Sequence, residues 1–320
     1  GMHCEYVLEC PGTNHTGCRR NTVTRLRPRL AKRSVWFVGN SLMRHWAFHF
    51  ALRLAGSTTS NAKGGVQIRG GGEWANLKAS GLPSREQEKL HCGAANDSWA
   101  GCQMLSGDDT TIRWVRGHKL SDFEKFRSEA LKDDPLLLLN LGTDDVFATT
   151  PGGNIASESV YQARRKKWLN DSWVGLQHEV APRLRSFLHE LAASRPGRVW
   201  WRAHSPLCGN KYGSWHDPRH NITGGFRGAP IDELNQKLRR SSYLILDALC
   251  GNDGAARQSS GAGAALRVVD AWKWTVSGGG EARHDGEHCS HYPDFVHHPP
   301  LAEQQVAAVM DDMVAVLGES

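Results

Sequence analysis

Residues 34–54 decide the fold. They read Ser34-Val-Trp-Phe-Val38, then Gly39-Asn40-Ser41, then Leu42-Met-Arg-His-Trp-Ala-Phe-His-Phe-Ala-Leu-Arg-Leu54. An unbroken apolar run of strand length signals a strand buried on both faces, and Gly39-Asn40 signals a tight turn. Apolar residues at 42, 43, 46, 47, 50, 51 and 54 then follow helical spacing. A strand is thus expected to pass through one turn into a helix. The signature recurs outward along the chain, with strands expected at Thr111–Val115, Leu136–Leu141, Val199–Ala203 and Leu266–Ala271. Helical patterns fall between or after them: Trp173, Leu176, Val180, Leu184, Phe187 and Leu191, then 231–249 and 301–317. Pro182 should bend or restart the first of these.

Strands alternating with helices predict an α/β fold, a three-layer α/β/α sandwich around about five parallel strands. The α/β domain is expected over 34–320. Residues 1–33, with Cys4, Cys10 and Cys18, read as a cysteine-rich irregular arm packed on it. The glycine-rich stretches 56–72, 209–228, 251–264 and 277–286 read as loops. Gly70-Gly71-Gly72 lacks both dinucleotide and P-loop spacing, so no cofactor is expected.

Composition excludes several classes. Of 320 residues, 39% are hydrophobic and 22% charged, and mean hydropathy is −0.49. Such a chain is neither mostly disordered nor embedded in a membrane. Its longest clean apolar run, Leu136–Leu139, falls far short of the roughly 18 residues of a spanning helix. The net charge of +6 is spread out. The basic runs at 25–33 and 164–167 carry no nucleic-acid motif and read as a solvated face or the flank of a helix, so no nucleic-acid partner is expected.

Eight cysteines (Cys4, Cys10, Cys18, Cys92, Cys102, Cys208, Cys250 and Cys289) include no C-x-x-C pair. An even count at wide spacing fits disulfides pinning loops in an oxidising compartment, with the pairing left open. Glycosylation acceptors at Asn14, Asn96, Asn170 and Asn221 agree with a secreted protein or one in the Golgi lumen. Gly1-Met2-His3-Cys4 has no apolar run of signal-peptide type, so the sequence is expected to start after a processed or trimmed segment.

In open α/β sheets, ligands bind beyond the carboxyl ends of the strands. Ser41, Asp144-Asp145 and Asp285-Gly-Glu-His288 all follow predicted strands. A serine hydroxyl becomes a useful nucleophile when an imidazole takes its proton and a carboxylate orients that imidazole. Ser41, His288 and Asp285 are the candidates for these roles.

Val38-Gly39-Asn40-Ser41-Leu42-Met43-Arg44 resembles the G-D-S-x-x-R block of the SGNH (GDSL-type) hydrolases. Within that superfamily the chain is similar to the PC-esterase branch, which holds trichome-birefringence-like polysaccharide O-acetyltransferases and the luminal domain of sialate O-acetyltransferase. Asp285-Gly-Glu-His288 resembles its terminal D-x-x-H block. Trp201-Arg202-Ala-His204-Ser205-Pro206 is similar to the plant R-T-x-S-P segment, and Leu138-Leu-Asn140-Leu-Gly142 to the N-T-G strand end. The blocks run in family order.

The resemblance implies a carbohydrate O-acetyltransferase or O-acetylesterase. Ser41 would form an acetyl-serine, His288 would serve as base and then acid, and Asp285 would orient it. Asn40, Arg44, Gly142, Thr143, Asp144, Arg202 and His204 would serve the oxyanion or substrate, with Arg44 holding the acyl carbonyl or the loop around it. The implied partners are a glycan and an acetyl donor, and transfer is favoured because the look-alikes are transferases.

Two departures stand out. Asn40 occupies the usual Asp position. Asp144 stands where related hydrolases place an Asn donor, and an ionised carboxylate does not donate. Loss of one oxyanion donor costs roughly 2.7–4 kcal/mol. The alternative is therefore a catalytically silent secreted relative that binds glycan or serves in an extracellular assembly. His291 competes with His288, because Cys289-Ser290-His291 echoes the C-S-H of the plant enzymes; Asp285/His288 keeps the D-x-x-H spacing. His284, His288, His291, His297 and His298 fit no zinc pattern, so no metal is expected. Of 12 tryptophans, Trp36, Trp46, Trp173 and Trp200 read as core; Trp74, Trp99, Trp215 and Trp272 or Trp274 fall in or near loops, where a ring can stack on a sugar face, although core packing is the preferred reading for any single one.

Overall fold

A computed structural model of the chain describes residues 4–7, 22–55, 67–69, 75–76, 101–106, 110–117, 119–142, 176–207, 216–217, 222–223, 231–250, 266–272 and 299–318. The strands are β1 (Cys4–Tyr6), β2 (Ser34–Gly39), β3 (Gln67–Arg69), β4 (Ala75–Asn76), β5 (Gly101–Ser106), β6 (Thr110–Arg116), β7 (Leu136–Asn140), β8 (Val199–Arg202), β9 (His216–Asp217), β10 (Ile222–Thr223) and β11 (Leu266–Val269). The helices are α1 (Thr22–Leu30), α2 (Ser41–Ala55), α3 (Phe123–Asp133), α4 (Ala181–Ala193), α5 (Ile231–Cys250) and α6 (Pro299–Val316).

Nine strands form one sheet in the order β1-β11-β8-β7-β2-β6-β5-β3-β4. From β1 to β6 every neighbouring pair is parallel. Beyond β6, strands β5, β3 and β4 continue the sheet with antiparallel pairings, while β9 and β10 pair separately. The fold is thus mixed α/β around a mostly parallel sheet. Counted along the chain, β2, β6, β7, β8 and β11 stand in the doubly wound order 2-1-3-4-5.

Why β2 and β7 are apolar throughout follows from the two faces they serve. Val35, Phe37, Leu136, Leu138 and Trp200 join one buried cluster with Leu26 and Leu30 of α1, Met43, Trp46 and Phe50 of α2, and Val309, Met310 and Met313 of α6. Trp36, Val38, Leu137, Leu139 and Trp201 join a second with Phe123 and Phe126 of α3, Leu184 and Phe187 of α4, and Ile245 and Leu249 of α5. Successive strand residues point to opposite faces, so helices pack against both. Each such large side chain contributes about 1.5–3 kcal/mol by leaving water.

All five predicted parallel strands occur, and the parallel block gains a sixth, β1, from the region read as an irregular arm. That reading also missed α1. Thr22, Leu26 and Leu30 recur at helical spacing, but basic residues and Pro28 separate them. The basic run 25–33 falls mostly on α1, and two of its arginines are part-buried rather than solvated. Arg27 Nε donates to the Leu54 carbonyl at 2.6 Å, and Arg29 donates to the Val314 carbonyl. Both acceptors lie at helix C-termini, where arginine is favoured. Strands β3, β9 and β10 lie inside stretches read as loops; pieces of two or three residues are held by pairing and leave no periodicity in sequence. Pro182 does restart its helix: a wide helical turn at Leu176–Val180 leads into α4, with the proline in its first turn. A Cys4–Cys250 disulfide ties the start of β1 to the end of α5.

Among the described residues, no helix is long and apolar enough to cross a membrane, and no cysteine is free. Cys102 is disulfide-bonded as well.

Candidate functional site

Strand β2 continues into α2 on one face, whereas the helix described after β7, α4, packs on the other. β2 and β7 are neighbours, with Gly39 beside Asn140. Chain paths that diverge from adjacent strands open a crevice at their carboxyl ends, the topological switch point where doubly wound proteins bind ligands.

Ser41 stands at this switch point as the first residue of α2. The turn before it is tightly built. A Cβ on Gly39 would fall 2.5 Å from the Asn140 carbonyl oxygen and 2.5 Å from Met43 Cγ, so only glycine lets β2 and β7 approach this closely. The Gly39 carbonyl accepts from Trp114 Nε1 and from the Gly117 N–H, both at 3.1 Å. Asn40 is buried and caps α2, its Oδ1 accepting from the Leu42 N–H at 3.0 Å. The Asn40 carbonyl accepts from the Met43 and Arg44 N–H groups at 3.1 and 3.2 Å. Arg44 lies with Cζ 5.4 Å from the Trp114 ring centroid. Arg44 therefore braces the indole that holds the turn.

At the carboxyl ends of β7 and β8 lies a buried polar cluster. Asn140 closes an otherwise all-leucine strand, and its Nδ2 donates to the Arg202 carbonyl at 2.8 Å. Its Oδ1 is buried with no partner among the described residues. Asn140 Nδ2 also lies 3.5 Å from His204 Nδ1. The His204 N–H donates to Ser242 Oγ at 2.9 Å, and the Leu207 N–H to Asn235 Oδ1 at 2.7 Å, fixing the exit of β8 to α5. Burial, and then the neighbouring Arg202 charge, push the His204 pKa down to about 3. Held neutral at physiological pH, the ring is a weak base.

Gly142, with φ 95°, sits just past β7 in a conformation that favours glycine. Asn40, Ser41, Arg44, Gly142, Arg202 and His204 thus gather around the carboxyl ends of β2, β7 and β8. Arg202 and His204 are only 4% and 2% exposed, which makes them supports under the crevice rather than an open substrate surface.

Thr143, Asp144, Asp285, His288 and the competing His291 lie outside the described residues. So do His284, His297 and His298, the cysteines Cys10, Cys18, Cys92, Cys208 and Cys289, the acceptors Asn14, Asn96, Asn170 and Asn221, and Trp74, Trp99, Trp173, Trp215 and Trp274. Trp36, Trp46 and Trp200 are core; so is Trp201, which sequence reasoning had not assigned.

The supporting residues were harder to read. Asn140 had a signal, a polar residue ending an apolar strand. Gln305, which is fully buried and bonds Arg202 from α6, had none. Among the described residues, no group of three or more metal-type ligands is placed to hold an ion. No protein-family model matches the chain, and no curated protein or solved structure is significantly similar to it.

Proposed function

We propose that the chain is a serine acyl-transfer enzyme of SGNH type that moves or removes O-acetyl groups on carbohydrate. One observation carries the reading: a serine opens a helix directly after a buried strand, at the switch point of a doubly wound sheet, on a turn that admits only glycine before it. Such a position aims helix N–H groups at a bound acyl oxygen.

In this reading Ser41 Oγ attacks the acetyl carbonyl and gives its proton to His288. The imidazolium returns that proton to the departing alcohol, leaving acetyl-Ser41. An acceptor hydroxyl, or water, then loses its proton to His288 and takes the acetyl group, and Ser41 recovers its proton. Asp285 orients His288, and Thr143 or a backbone amide supplies the donor that Asp144 does not. The finer architecture that goes with this mechanism is a three-layer α/β/α sandwich over 34–320, with 1–33 packed against it. The disulfides at Cys4, Cys102 and Cys250 support an oxidising setting, extracellular or in the Golgi lumen.

The second reading is a catalytically silent glycan-binding relative, favoured by Asp144. Asn40 lends it little, since Asn40 caps α2 as an aspartate would. Incubation with acetylated xylan or acetylated sialoglycan, alone and with unacetylated acceptor, separates the readings. The enzyme reading expects free acetate or newly acetylated sugar, lost in Ser41→Ala and His288→Ala. Binding without either product, from folded protein, favours the silent one.

A further inference from the structure

We propose that Arg202 is a positioning residue: from the end of β8 it locks the serine-bearing helix α2 and helix α6 to the carboxyl edge of the sheet, and so sets where the Ser41 hydroxyl stands. The proposal rests on the reading of Ser41 as nucleophile.

One guanidinium reaches several segments. Its Cζ lies 5.4 Å from the ring centroid of Trp46 on α2. Its Nε donates to Gln305 Oε1 on α6 at 3.1 Å. Its Nη1 and Nη2 donate to the Ala203 carbonyl at 3.2 Å and to Ser205 Oγ at 2.6 Å, in the exit of β8. The Arg202 carbonyl accepts from Asn140 at the end of β7. Trp46 is fully buried on the same helix that Ser41 opens, so the plane of the guanidinium sets where that helix rests.

Burying an arginine is costly, so stability alone is a weak reason for one to stand here. A flat fork with directed donors does what an apolar chain or a lysine does not: it fixes the angle between the parts it joins. Because Arg202 is buried and its donors point into the protein, its effect on chemistry runs through Ser41 and not through contact with an acetyl group.

The test compares Arg202→Met, Arg202→Lys and Gln305→Met with the wild-type chain, using p-nitrophenyl acetate. Burst kinetics give the acylation rate of Ser41 and KM separately, and near-ultraviolet circular dichroism checks the fold. We expect Arg202→Met to fold and to acylate 10- to 100-fold more slowly with KM changed less than twofold. Arg202→Lys should stay at least 10-fold slow despite its retained charge, and Gln305→Met should lose 3- to 10-fold. Added guanidinium ion should partly restore Arg202→Met. If Arg202→Met does not fold, Gln305→Met and Arg202→Lys carry the same comparison. Acylation at the wild-type rate in the folded variants overturns the proposal and leaves Ser41 as nucleophile. A wild-type chain that is folded but never acylated overturns both.

Discussion

Two arginines anchor α6 to the sheet, and they do it in different ways. Arg267 on β11 is clasped by carboxylates. It pairs with Asp312 of α6 through two hydrogen bonds and with Glu5 of β1, while Asp312 also accepts from Trp200 Nε1 at 2.8 Å. Arg202, two residues past Trp200 on β8, binds a glutamine, a serine hydroxyl and a backbone carbonyl, and it lies against an indole. The Arg267 cluster is an ion-pair rivet at the β1 side of the sheet. The Arg202 cluster is a hydrogen-bonded hub beneath the switch-point crevice. The difference separates what holds the molecule together from what aligns its candidate chemistry.

The sharpest way to break that comparison is to remove Arg267. Arg267→Met leaves two carboxylates facing each other at sites only 10–13% exposed, and losing one member of a buried ionic set costs about 3–5 kcal/mol. Urea unfolding should show that loss, while acylation of the folded fraction stays at the wild-type rate. A large fall in acylation without loss of stability would reverse the assignment of the two clusters. Next in size is the disulfide from Cys4 to Cys250, which spans 246 residues on the same side of the sheet. Replacing both cysteines by serine should cost about 2–5 kcal/mol by releasing that constraint on the unfolded chain, again with the crevice unaffected.

The carboxyl edge should reveal itself through pH. His204 keeps a pKa near 3 in the folded chain against 6.5 unfolded. Between those values the unfolded chain binds the extra proton, so this stability is fully present above 6.5 and declines as pH falls toward 3, by about 1.4 kcal/mol per pH unit. Burial also pushes His49 down, opposed by Glu303, and adds in the same direction. In His204→Gln, the drop in unfolding free energy from pH 7 to pH 5 should shrink by about 2 kcal/mol. An unchanged drop would mean that the imidazole is not held neutral.

Much of this was legible in residues 34–54, because a strand buried on both faces shows as an unbroken apolar run, and a helix packed against it keeps its apolar residues at three- and four-residue spacing between the polar ones. The other four predicted strands were legible as short, mainly apolar segments. Other parts were not, for physical reasons. β1 and β3 are three residues long and exist through a neighbour's hydrogen bonds, which one segment does not encode. α1 hides three buried positions among arginines that bond other helices' ends. At the crevice, Ser41 was legible because strand-turn-helix chemistry is local. Gln305 was not, because its reason is Arg202, 103 residues away.

The smallest effect sharpens the turn itself. Asn40→Ala should cost about 1 kcal/mol by removing the cap on α2, and Asn40→Asp should cost nothing, since a carboxylate accepts the same N–H at the positive helix end. If both cost equally, the Asn40 side chain is not the cap that holds Ser41.

The central claim, an activated serine at the switch point, is tested most directly by treating the folded wild-type protein with a fluorophosphonate probe and mapping the adduct by peptide mass spectrometry. The account predicts one adduct per chain, on Ser41, absent in Ser41→Ala. Folded protein that takes up no probe, or takes it up on another residue, would contradict it.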